Sequence, residues 1–142
     1  MRTGTGTYTV SAAIIALTKS VKVLEDPISG VAGPTVFPKA IPGAKVEYTL
    51  TVKNTGHAPA TVELTDLLSE NFDKANTVSS VLVGGAAPAS TPTLVANTAT
   101  SGFDELLTIP AVTVVAFDAA YQSANPSHTE ASTVVTFEVV LK

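Results

Sequence analysis

The stretch from Lys45 to Lys53 reads KVEYTLTVK, and it alternates without a break. Val46, Tyr48, Leu50 and Val52 fall on one side, and Lys45, Glu47, Thr49, Thr51 and Lys53 on the other. A period of two is what a pleated strand needs when one face meets a core and the other meets water. Asn54, Thr55 and Gly56 follow as a turn, because Asn and Gly both tolerate positive φ. Ala60, Val62 and Leu64 then resume the alternation, so a second strand is expected, either paired with the first or crossing to another sheet.

Working outward, the same grammar recurs. Strands are expected over Val78 to Val83, Thr93 to Ala96, Leu106 to Ile109, Val112 to Tyr121 and Ser132 to Leu141, separated by clusters of Gly, Pro, Asn and Ser. In the last of these, Val135, Phe137, Val139 and Leu141 point one way and Thr136 and Glu138 the other, which suits a strand in contact with the core. Glu25 to Gly43 holds Pro27, Pro34, Pro38 and Pro42, and proline removes the amide that ladders and helices both use, so a long surface loop is expected. Gly84 to Pro92 reads as a second loop, and Asp118 to His128 as the site of a third.

Composition agrees. Thr (21) and Val (19) make up more than a quarter of the 142 residues while charged residues are only 14%, a mix that favours strands over amphipathic helices. The expected fold is therefore all-β: an immunoglobulin-like antiparallel sandwich of about seven to nine short strands, with an extra strand at the N-terminus. The domain division is 1–14 as an extension and 15–142 as the sandwich.

That extension rests on a change of phase. From Thr7 to Ile14 the apolar residues are even-numbered (Tyr8, Val10, Ala12 and Ile14), whereas from Ile15 to Val23 they are odd-numbered (Ile15, Leu17, Val21 and Val23). One flat strand cannot bury both sets on one face, so the flip at Ile14 and Ile15 implies a bulge or two strands serving different sheets, in one molecule or in two.

Several function classes are disfavoured. With a net charge of −4 and eight scattered Lys and Arg residues, there is no basic stripe for nucleic acid. Without cysteine there are no thiolate metal sites, disulfides or cysteine nucleophiles. The longest unbroken apolar run near the N-terminus, Ala12 to Leu17, is far short of the roughly 20 residues of a membrane span. His57 and His128 fall in loops with no ligand pattern around them, and Ser127 beside His128 lacks the acid and oxyanion hole of an acyl-transfer triad, so no enzyme is expected. Asp66, Glu70 and Asp73, or Asp104, Glu105 and Asp118, could gather oxygens for calcium, but neither set has a recognised loop pattern, and no metal or other cofactor is expected. An intramolecular bond from Lys19 or Lys53 to Asn54 is conceivable, but spacing cannot establish it. Mean hydropathy is +0.35, high for a chain with so few charges, and apolar surface left over after folding tends to find a partner.

The pieces KVLEDPISG (22–30), PKAIPGAKVEYTLTVKNTG (38–56) and APATVELTD (58–66) resemble the bacterial and archaeal surface domain known as domain of unknown function 11. With Thr18 and Lys19 before them and TVVTFEVVLK after, the resemblance spans most of 15–142. It implies an immunoglobulin-like sandwich on secreted proteins, located outside the cell or at its surface, with some similar domains polymerising into filaments and with no catalytic residues to transfer. This chain departs from the pattern in carrying one module and a surplus apolar strand before its usual start.

Together these features favour a structural subunit whose N-terminal strand, through Tyr8, Val10, Ala12 and Ile14, completes the sheet of another copy of the chain. The alternatives are an ordinary first strand in a monomeric adhesion or carbohydrate-binding module, or a surface-layer or stalk module. Surface glycans on the Thr-rich stretches are a further possibility from composition.

Overall fold

In the computed structural model, which describes residues 11–73 and 78–142, the chain is an antiparallel β-sandwich. In chain order its elements are β1 (Ile15–Asp26), β2 (Gly30–Val31), β3 (Lys45–Asn54), β4 (Ala60–Ser69), β5 (Ser79–Val83), β6 (Thr93–Ala96), β7 (Phe103–Val114), helix α1 (Ala119–Ala124) and β8 (Ala131–Val140). Five strands form one sheet in the order β2, β1, β3, β8, β5, and three form the other in the order β4, β7, β6.

The core lies between the two sheets. The large sheet contributes Val46, Leu50 and Val52 from β3 and Val135, Phe137 and Val139 from β8; the small sheet contributes Leu64, Leu68, Leu107, Ile109, Val112 and Val114. The expected inward faces of β3 and β8 are thus the buried ones, and β8 lies centrally, between β3 and β5. Tyr48 and Leu141 are half-buried, at the margin of the core. Tyr48 stacks on Phe137 with ring centroids 5.3 Å apart and meets the edge of Phe72 at 5.9 Å.

Three expectations change. Leu106 to Ile109 and Val112 to Tyr121 are not two strands: residues up to Val114 form the single strand β7, interrupted by a bulge. Between Val62 and Leu64 of β4 the facing residues pass from Val112 to Ile109, so β7 carries one extra residue, and Ala111 adopts a φ of 55° to accommodate it. The extra residue re-phases the strand, which lets Ile109 and Val112 both face the core although one is odd-numbered and the other even. Beyond Val114 the chain leaves the sheet, and Asp118 caps α1 by accepting the Tyr121 amide at 2.8 Å, so the expected third loop holds a short helix. The long loop after Glu25 is not wholly irregular either, since Gly30 and Val31 pair with Asp26 and Glu25.

The end of that loop shows why Pro42 and Gly43 precede β3. Gly43 has a φ of +84° and its amide donates to the Leu141 carbonyl at 2.8 Å; a Cβ there would also lie 2.8 Å from the Pro27 ring. The other end of the loop is held by Asp26, whose buried carboxylate accepts the amides of Ile28 at 2.7 Å, Ser29 at 2.5 Å and Lys39 at 2.6 Å. The Ser29 and Lys39 amides above all hold its pKa down from 3.8 to about 2.

Candidate docking groove

The two sheets are unequal, and the mismatch falls on β1. Its register with β3 sets Leu17 opposite Val52, Lys19 opposite Leu50, Val21 opposite Tyr48 and Val23 opposite Val46. Residues directly opposite share a face, so the odd-numbered side chains of β1 point toward the small sheet, as do the core residues of β3. Lys19 shows this directly. Its ammonium lies 4.5 Å from the centroid of the Tyr48 ring and meets the Asp66 carboxylate of β4 at 2.6 and 2.7 Å. Burial first, and the Asp66 charge second, push the Tyr48 phenol above its ordinary pKa.

Yet the rest of this inward face is uncovered. Ile15 is 39% exposed, Leu17 51% and Val21 58%. The reason is topological: β4 is the last strand of the small sheet on this side, paired only with β7, and no further strand lies over β1 among the described residues. A floor of apolar side chains therefore runs beside the unpaired edge of β4. From Ile15 to Val23 it is about 26 Å long at ~3.3 Å per residue. Val23, the last residue of the floor, also lines a cavity of about 440 Å³ with Lys22, Val36, Phe37 and Pro38 among others.

The opposite end of β1 is where the N-terminal segment arrives. Asn54, fully buried, ties three pieces of chain together there: its Oδ1 accepts the amides of Ile14 and Gly56, and its Nδ2 donates to the carbonyls of Ala58 and Val115. The Thr55 amide donates to the Ile14 carbonyl at 3.1 Å, and the Ala58 amide to the Ala12 carbonyl at 3.3 Å. Gly56 makes this crossing possible, because a Cβ on it would lie 2.6 Å from the Ile14 nitrogen and closer still to the Ala12 carbonyl. Residues 12–14 thus pass from the large sheet toward the start of β4, and the phase flip at Ile14 and Ile15 coincides with the point where β1 begins. Of the expected interface residues, Ala12 and Ile14 are exposed, Ile14 at 61%; Tyr8 and Val10 lie outside the described residues.

The other candidates do not converge. Among the described residues no three His, Asp or Glu side chains gather as a metal site. Asp66 is paired with Lys19, and Asp118 is the α1 cap. Lys53 pairs with Glu130 at 2.5 Å and Asn54 is engaged with backbone, so neither Lys53 nor Lys19 is directed at the Asn54 amide. His57 and Ser127 are exposed, and His128 lies 3.4 Å from the Tyr121 hydroxyl on the surface. A second opening of about 370 Å³, lined by Val81, Pro88, Pro92, Leu94 and Leu107 among others, lies between β5 and β6. Sequence reasoning identified the strand pattern of β1 but not the groove, because exposure of its odd face depends on how far the opposite sheet extends.

Compared with known proteins, the chain matches no family model, no curated protein and no solved structure.

Proposed function

We propose that the protein is a structural subunit of an extracellular filament, polymerising when the N-terminal strand of one copy completes the sandwich of another. The observation that carries this reading is the apolar floor of β1 lying uncovered beside the unpaired edge of β4. A strand added to β4 would satisfy that edge with backbone hydrogen bonds and cover Ile15, Leu17 and Val21 with alternate side chains. A strand added to the outer edge of β1 would leave the same residues in water, so β4 is the acceptor. The N-terminal segment has the matching pattern in Tyr8 and Val10. Because Ala12 and Ile14 are bonded to their own turn, the donated part is what precedes Ala12, and residues 12–14 form the joint between subunits. A contact of this head-to-tail kind does not close, and so builds a fibre.

The test compares the full chain with one lacking residues 1–11, by negative-stain microscopy and unboiled gel electrophoresis. Fibres and a ladder that vanish on truncation are expected; monomers in both samples would overturn the reading. That second outcome would favour a monomeric adhesion module, for which the specific observation is the exposure of Ile28 and Phe37 on the loop after β1.

A further inference from the structure

The two ends of β1 differ in a way that assigns a direction to the assembly, on the premise that strand donation occurs. At the Ile15 end, residues 12–14 are bonded to the turn around Asn54 and Gly56. At the Val23 end, about 26 Å away at ~3.3 Å per residue, lies the cavity beside Phe37, with Ile28 83% and Phe37 77% exposed on the loop that forms this end. One pole carries the joint to the residues ahead of Ala12, and the other presents exposed apolar surface.

We infer that the cavity lined by Val23, Val36, Phe37 and Pro38 is the receiving end of the groove, and that the occupant is the segment ahead of Ala12 of a second copy, entering there parallel to β4 with Tyr8 as its anchor. Two considerations support this direction. A strand that left one copy at the Asn54 pole and entered the next at the same pole would pair two molecules reciprocally and stop, whereas entry at the opposite pole repeats without limit. Entering at the Phe37 pole also sets Val10 over Val23, which lines the cavity, and Tyr8 over Val21, the most exposed floor residue. A strand folding back from its own turn would run antiparallel to β4. It would bring Tyr8 near Leu17 and lay Gly4 and Gly6 toward the Val23 end, with the cavity unfilled.

The natural absence of cysteine makes the test clean. Two double variants are compared under mild oxidation, Val10→Cys with Phe37→Cys and Tyr8→Cys with Leu17→Cys. The first pair is expected to yield a ladder of covalent oligomers that collapses on reduction, and the second none. Fibres that link through the second pair would overturn the receiving pole while leaving strand donation intact. A disulfide of the second pair within single chains, without fibres, would overturn both. Independently, Phe37→Ser should raise the concentration needed for assembly ~10-fold, the effect of losing one good apolar anchor, with an unchanged melting temperature for the monomer. Assembly indifferent to that substitution would count against the pocket.

Discussion

Strands β1 and β3 lie side by side in one sheet with the same alternation and the same inward face, yet their inward residues have opposite fates. Leu50 and Val52 are buried, while Leu17 beside Val52 is half in water. Neither propensity nor pattern separates them. What differs is the layer above: β3 has β4 and β7 across from it, and β1 has only the margin of β4, reached by Lys19 through Asp66. An apolar face on a strand is therefore an offer of burial, and the facing sheet decides whether it is taken up within the chain. Here the unused offer is the floor of the groove.

The sharpest contrast is energetic. Phe137, fully buried and stacked on Tyr48, is expected to cost about 3–5 kcal/mol when replaced by Ala, the usual range for a large aromatic lost from a core. Urea denaturation of the isolated subunit would show it, and a cost below 1 kcal/mol would mean that the central strands are not the stabilising part of the sheet.

A smaller effect is expected at the end of β1, where Asp26 holds the loop. Its pKa in the fold, about 2, lies below the ordinary 3.8, so the carboxylate contributes stability that is fully present above pH 3.8 and is lost as the pH falls toward 2. The difference in urea midpoint between the natural chain and Asp26→Asn should therefore shrink over that window. A difference that stayed constant, or grew on acidification, would rule out the three backbone amides as its source.

The smallest effect is expected at Leu17. In the isolated subunit Leu17→Ala should change stability by no more than about 0.5 kcal/mol, as for an ordinary surface position, and the same substitution should weaken assembly. A large loss of monomer stability would show that the groove is already covered within one chain.

Much of this architecture was legible in the sequence. The inward residues of β3 and β8 followed from a period of two and the break at 27–42 from proline, because each is a local constraint that the backbone obeys wherever it lies; Asn54 and Gly56 take no positive φ and act instead through long-range bonds and a close approach. β1 begins at Ile15, the position of the flip. Local pattern misplaced β7 and α1: a bulge needs the register of a partner strand to be seen, and the run from Val112 to Tyr121 hid the Asp118 cap inside an apolar stretch.

What the chain determined by itself is thus which residues can form strands and which side of each is apolar. Only the tertiary structure decided that Asn54 would bind three segments at one pole, that Lys19 would cross to Asp66, and that β4 would end the small sheet before β1 was covered. The physical reason is that burial belongs to pairs of surfaces: a strand carries its own alternation, but the surface that shields it, or fails to, comes from residues distant in the chain.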